Sequence, residues 1–173
     1  MTEDLAPIQV PWSVLPDYRC FGCSPHNPGG LRLTFEPHPE GVRTRFRLGR
    51  AFESYPGVVH GGLVGVICDE AMGNLIVLTH GRSAFTVSMR LRYVQPLLVD
   101  RPYQAVARLR DGAPELVHAS AEIADDEGTL VAAATAVYQP FSLDQTRDQL
   151  RLDDHDVALL TDALSTRTPP NGA

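Results

Sequence analysis

One stretch, YPGVVHGGLVGVICDEAMGNLIVLTHG at residues 55–81, constrains this chain more than any other. It opens as a Pro/Gly turn, passes a His-Gly-Gly and then stays apolar for about four helical turns. A helix apolar on most of its faces must be buried. The adjacent pair Asp69-Glu70 interrupts it, and carboxylates in a buried helix are costly unless they are hydrogen-bonded, solvated through a cleft or put to use. Gly65 and Gly73 lie four residues to either side of Asp69, so the three share one face that has almost no side-chain bulk. That face admits the close approach of a sheet, a second helix or a substrate; close packing alone is the plain alternative.

The rest of the chain reads as the wrapping for such a helix. Leu31, Leu33 and Phe35 alternate with Arg32, Thr34 and Glu36, residues 37–41 turn, and Val42, Thr44, Phe46 and Leu48 alternate with three arginines. This pattern predicts a hairpin with one core face and one basic face. After the helix, Phe85, Val87, Met89, Leu91 and Tyr93 alternate with Thr86, Ser88, Arg90 and Arg92. Three further strand-like runs follow at residues 103–109, 116–123 and 130–138, with turns expected at 110–114 and 125–128. Two strands, one long helix and four strands are not a βαβ repeat, which excludes a doubly wound sheet. The pattern predicts an α+β domain in which a curved antiparallel sheet wraps a central helix.

At 173 residues the chain makes one domain, with an irregular arm and turn over 1–30, the core domain over 31–140 and an acidic extension over 141–173. In that extension Leu143, Leu150 and Val157 have helical spacing, His155 among aspartates reads as a solvated face, and the last eight residues read as loose. A formal net charge of −6 without a basic block argues against a nucleic-acid binder. The first residues lack the charged and apolar segments of a secretory signal, and Asp69-Glu70 splits the longest apolar run, so no membrane insertion is expected. Three cysteines, an odd number, fit a reducing cytoplasm.

Cys20 and Cys23 have the C-x2-C spacing of a metal knuckle or redox pair, and His26 offers a third ligand. A tetrahedral zinc site needs a fourth, and Cys68 sits apart in the helix. The favoured reading is a compact Gly/Pro turn with small buried thiols, with no metal, no cofactor and no metal dependence of folding.

His60-Gly61-Gly62 with Asp69 nine positions after the histidine, followed by a strand ending in Tyr93-Val94-Gln95-Pro96, resembles the hotdog-fold acyl-CoA thioesterases of the phenylacetate-pathway type. CFGC-x3-NP-x-GL at residues 20–31 resembles the opening of many bacterial members. The likeness covers about residues 18–139. It implies the hotdog fold, a homodimer or homotetramer with the site between subunits, and hydrolysis of an acyl-CoA. It further implies that Gly61 N–H polarises the carbonyl, that Asp69 is base or nucleophile, and that Thr86 holds the water. His60, Gly62 and Ser54 fall among the substrate-binding positions, although Ser54 stands where the family often has an amide side chain and cannot imitate both ends of one.

The chemistry agrees with that assignment. A helix N-terminus offers free N–H groups and a favourable dipole to a developing oxyanion, and glycines leave room for an acyl group. A carboxylate two turns in can act as general base or attack the carbonyl. Glu70 points about 100° away and is expected to pair near the rim or the dimer seam. Arginines 43, 45, 47, 90, 92 and 101 are candidates for the nucleotide phosphates of coenzyme A. Two other functions fit the same fold: an acyl-thioester dehydratase or hydratase, although the histidine segment expected upstream is missing, and a non-catalytic acyl-CoA-binding protein, which Ser54 favours.

Overall fold

The computed structural model describes residues 6–111 and 115–170. The strands are β1 (Glu36–His38), β2 (Gly41–Arg47), β3 (Ala84–Tyr93), β4 (Pro102–Arg110), β5 (Val117–Asp125) and β6 (Leu130–Pro140). The helices are α1 (Gly61–His80), α2 (Leu143–Thr146) and α3 (Asp154–Ser165), with short 3-10 turns at Pro11–Val14 and Arg50–Phe52. The six strands form one antiparallel sheet in the order β1-β2-β4-β5-β6-β3. α1 lies across it and touches β2 to β6. This is the expected hotdog arrangement.

Cross-strand pairing shows why the helix can sit so close. One row on the inner face runs Val42, Ala107, Ala121, Ala134, Leu91, and the next runs through Ala119 and Ala136 to Met89. Alanines form the floor and larger residues the rims, so α1 drops into a trough. Ile67, Cys68, Ala71, Met72, Ile76 and Leu78 are fully buried in it. By length and hydropathy α1 would suffice to cross a membrane, contrary to the expectation from the Asp69-Glu70 interruption, but the sheet already covers most of it.

Both helix ends are closed. His60 Nδ1 accepts from Gly62 N–H at 3.0 Å. At the other end Gly81 takes a left-handed conformation (φ 65°), and Arg167 donates to the carbonyls of Leu78 (2.9 Å) and Thr79 (3.0 Å). The tail expected to be loose is therefore docked as far as Arg167, which also donates to Leu164 O at 2.8 Å. The density of aspartate before it is a capping box, Asp153 with Asp156, at the start of α3. Leu160 and Leu164, rather than Leu143, Leu150 and Val157, bury the extension, and His155 is exposed as expected.

Two strands differ from the alternation. Residues 31–35 are not the first arm of the hairpin, since Leu31 and Leu33 N–H groups bond to Phe21 O (2.7 Å) and Gly22 O (2.9 Å) instead. The arm's turn has taken their pairing, and β1 shrinks to three residues. In β3, Thr86 pairs with Tyr138 but Ser88 with Val137, so Val87 is an extra residue, a β-bulge. Past it Met89, Leu91 and Tyr93 face α1 as expected. Before it the parity flips: Thr86 turns inward, and Phe85 stacks on Phe141 at 4.3 Å. The turn at 125–128 is present, held by Asp125, whereas residues 112–114 of the other lie outside the described residues.

Gly41, between the β1–β2 turn and β2, has φ 151°, and a Cβ there would meet Ala107 O at 2.2 Å. Gly41→Ala is expected to lower the urea midpoint by the equivalent of at least ~2 kcal/mol, through steric and backbone strain. A midpoint equal to wild type would show that β2 and β4 can separate there without loss.

Candidate active site

Asp69 leaves α1 toward β3 and β6. Thr86 Oγ1 donates to its Oδ1 at 2.9 Å, and Tyr138 OH donates to the same oxygen at 2.8 Å. Among the described residues no protein donor is paired with Oδ2. One carboxylate oxygen is thus anchored twice while the other is left to the cleft. Burial, then the nearby Asp69 charge, push the Tyr138 phenol far above its ordinary value, which keeps it a donor. The bulge at Val87 delivers Thr86 to this point, because plain alternation would send it outward with Arg90 and Arg92.

The cleft beside Asp69 encloses about 400 Å³. Trp12, Val77, Ala84, Phe85, Phe141 and Leu150 give it apolar walls, and Gly73 forms part of its lining with nothing within 4 Å of a would-be Cβ. Gly65, by contrast, is covered by Met89 (3.5 Å) and Leu91 (3.7 Å). The bare face of the helix is thus half packing surface and half cleft.

The remaining candidates form a second group at the other end of α1. Ser54, Gly61, Tyr93 and Gln95 line a separate groove. Tyr93 OH donates to Gly61 O at 2.8 Å and leaves the Gly61 N–H with no acceptor among the described residues. Gly62 N–H is spent on His60, whose imidazole is a cap, and Ser54 is fixed through its backbone N–H to Val58 O (2.9 Å). Eight helical residues separate Gly61 from Asp69, about 12 Å along the axis. Within one chain, the structure brings Asp69 and Thr86 together but does not bring Gly61, Gly62, His60 or Ser54 to them.

Of the arginines proposed for phosphate, Arg43 and Arg45 lie against Glu36. Arg47, Arg90, Arg92 and Arg101 are exposed and form no ion pair among the described residues. Tyr138 is the site residue that sequence reasoning missed. Its only signal was a lone tyrosine at the end of an alanine-rich strand.

Glu70 is not at the rim. It is half-buried under the N-terminal arm, where Cys20 Sγ bonds its Oε1 at 2.9 Å and Asn74 Nδ2 donates to its Oε2 at 3.3 Å. Burial, then the neighbouring Cys20, push its carboxyl up to about 8. Hydrogen bonding from Cys23, with Glu70 and the N–H groups of Cys23 and Gly22, holds the Cys20 thiol well below its ordinary value. The Cys23 thiol is pushed up by its bond to Cys20 and by burial, and burial pushes Cys68 up to about 12. His26 is exposed, with Nε2 3.3 Å from Ser13 O, and takes no part in the cluster.

Residues 56–132 match the family profile described as "Thioesterase superfamily". A search of curated proteins found no match. Among solved structures, a thioesterase superfamily protein aligns at 17% identity and TM-score 0.65, covering 77% of this chain and 69% of its own. A hypothetical thioesterase protein from Streptococcus pneumoniae TIGR4, solved with coenzyme A, aligns at 21% identity and TM-score 0.58, covering 64% and 89%. A Streptococcus mutans UA159 protein bound to acetyl-CoA aligns at 18% identity and TM-score 0.59, covering 74% and 96%. At these identities the likeness establishes the fold.

The thiol environments predict an order of reactivity. In reduced, metal-free protein at neutral pH, iodoacetamide is expected to modify Cys20 at least ~10-fold faster than Cys23 or Cys68, because the thiolate is the nucleophile and Cys20 alone is partly exposed. Peptide mass mapping over time reads this directly; equal rates at the three positions would contradict it.

Proposed function

We propose that this chain, a member of the thioesterase superfamily through its residues 56–132, is an acyl-CoA thioesterase that yields a free acid and coenzyme A, acting as a homodimer or a larger even assembly. The observation that carries the reading is Asp69, pinned by Thr86 and Tyr138 through one oxygen, with its other oxygen turned to an apolar cleft. That is the arrangement of a base held in position. Asp69 takes a proton from water as the water oxygen bonds to the thioester carbon; the tetrahedral oxyanion then collapses with loss of the C–S bond, and the proton held by Asp69 passes to the departing sulfur. Thr86 donates to Asp69 and keeps its lone pairs free to accept from that water.

The oxyanion needs N–H donors at the carbonyl, and the Gly61 amide of the same helix is too far from Asp69 to act on the same atom. A second copy resolves this. β3 ends the sheet with an unpaired edge and presents Val87 (57% exposed), Tyr93 (55%) and Val94 (47%) to solvent. Two-fold pairing over this face covers the edge and sets Asp69 of one protomer against the partner's Gly61. The similar Streptococcus structures hold coenzyme A and acetyl-CoA, and the exposed arginines here provide candidates for the phosphates of such a carrier. In the Streptococcus pneumoniae protein an aspartate and a threonine sixteen residues later have each been replaced by alanine, a pair spaced much as Asp69 and Thr86 are here.

Asp69→Asn preserves shape and removes the base, and is expected to lower kcat by about 10²-fold or more with a smaller change in KM. Thr86→Ala should fall between it and wild type. Gly61→Pro removes only the unpaired N–H at the first helical position, where proline is tolerated and the extended His60 (φ −58°, ψ 127°) suits it. It should cost about 10²–10³-fold in kcat.

Mixing the two dead variants by denaturation and refolding should then restore about one quarter of wild-type activity, since half the dimers carry one intact site. Failure of the mixture to regain activity, with circular dichroism normal, would place the donors elsewhere. Light scattering showing an active monomer of 18.9 kDa would remove the shared site. Tight binding of intact acyl-CoA without turnover by the wild-type protein would favour a binding function, which Ser54 permits.

A further inference from the structure

We infer that Cys20, Cys23 and Glu70 form a binding site for a zinc-class divalent metal ion, with its fourth coordination position facing the Asp69 cleft. The two sulfurs and the carboxylate oxygen lie within 4.8 Å of one another. The site uses none of the Asp69, Thr86 and Tyr138 side chains, although it borders the same cleft, and it stands whether or not the hydrolase reading does.

Four features build it. The C-x2-C turn sets the Cys20 and Cys23 sulfurs together against the Glu70 carboxylate, with Cys20 Sγ 2.9 Å from Glu70 Oε1. Gly22 is obligatory, because a Cβ would lie 2.1 Å from Glu70 Cγ and 2.4 Å from Cδ; the glycine exists where the carboxylate lies on the turn. Asn74 donates to Glu70 Oε2 and to Glu70 O, and the Tyr18 hydroxyl lies 3.3 Å from Cys23 Sγ. These are the outer contacts that orient metal ligands. Finally, Glu70 forms no ion pair among the described residues, and the charged groups acting on it are thiols and Asp69. A partly buried set of two sulfurs and a carboxylate with no cationic side chain paired to it suits a metal cation, which on binding displaces the protons these donors otherwise hold.

Donor type selects the ion. Thiolates exclude calcium and magnesium, and two sulfurs with one carboxylate suit zinc. Only a small adjustment is needed: metal in place of the shared proton opens the Cys20–Glu70 separation from 2.9 Å to about 3.5 Å, for Zn–S near 2.3 Å and Zn–O near 2.0 Å. Cys23 is buried, while Cys20 and Glu70 line the cleft, so the open position points there. Glu70, not His26, supplies the third ligand, which no reading of nearby sequence reveals because the two lie fifty residues apart in the chain.

The test is cobalt titration of the reduced full-length protein under anaerobic conditions, followed by competition with zinc. One equivalent per chain is expected, with thiolate-to-cobalt charge-transfer absorption and the intense visible bands of tetrahedral geometry. Cys20→Ser and Cys23→Ser should each remove part of the charge-transfer band and together abolish it. Asn74→Ala should weaken zinc affinity by about 10–100-fold while leaving the band's shape, and Glu70→Gln should weaken it further, with folding checked by circular dichroism. Zinc should also shield Cys20 from iodoacetamide. Absence of the charge-transfer band in wild-type protein with three titratable thiols would overturn the site, as would binding that persists without both cysteines. So would loss of two hydrogens to a Cys20–Cys23 disulfide on mild oxidation with no metal retained before it, which would mark a redox pair.

Discussion

Everything in this molecule answers to two adjacent carboxylates on one buried helix. Consecutive helical residues diverge by about 100°, so one surface cannot satisfy both Asp69 and Glu70. The sheet takes Asp69, with Thr86 at 2.9 Å and Tyr138 at 2.8 Å. The N-terminal arm takes Glu70, with Cys20 at 2.9 Å and Asn74 at 3.3 Å. An unpartnered buried carboxylate is worth several kcal/mol of destabilisation. The arm is therefore part of the fold of the helix, not an addition to it. It also explains why residues 31–35 leave the hairpin: their backbone is used to hold the CFGC turn over Glu70.

The same constraint places the irregularity in β3. A strand that alternated without a break could not turn both Thr86 and the Met89–Leu91–Tyr93 series toward α1, since Thr86 and Met89 are an odd number of residues apart. One extra residue, Val87, makes both possible. Its consequence is an unpaired edge strand on which the extra residue, Val87, is left 57% exposed. Satisfying Asp69 from within one chain thus leaves an unpaired strand edge, the surface on which the proposed mechanism draws for a second copy and its oxyanion donors.

Period-two patterning and the long apolar run were enough to read the sheet-on-helix architecture, because burial acts on whole elements and alternation records it. Asp69 was legible for the same reason, as a charge where none belongs. What the sequence withheld is pairwise. The bulge at Val87 is a one-residue register change that alternation cannot signal, so periodicity sends Thr86 outward whereas the structure turns it onto Asp69. Tyr138 and Glu70 depend on contacts 69 and 50 residues apart in the chain, and neither local composition nor spacing encodes them. Residues 166–170 looked loose because proline and threonine predict no element, yet one arginine among them finds the free carbonyls at the end of α1.

That arginine completes an argument about the cleft. Trp12 Nε1 donates to Ser83 Oγ at 2.8 Å, Phe85 stacks on Phe141, and Arg167 holds the last turn of α1. Both ends of the chain therefore converge on the short link between α1 and β3, the one segment that must be fixed if Asp69 on the helix and Thr86 on the strand are to stay within hydrogen-bond distance. A cap of this kind contributes only about 0.3–1 kcal/mol, a small stabilisation for an extension that runs over residues 141–173. Its larger effect is positional. A base that must meet a carbonyl within a fraction of an ångström loses rate when its support loosens. The extensions sit where they limit that movement, and they wall the Asp69 cleft with Trp12, Phe141 and Leu150.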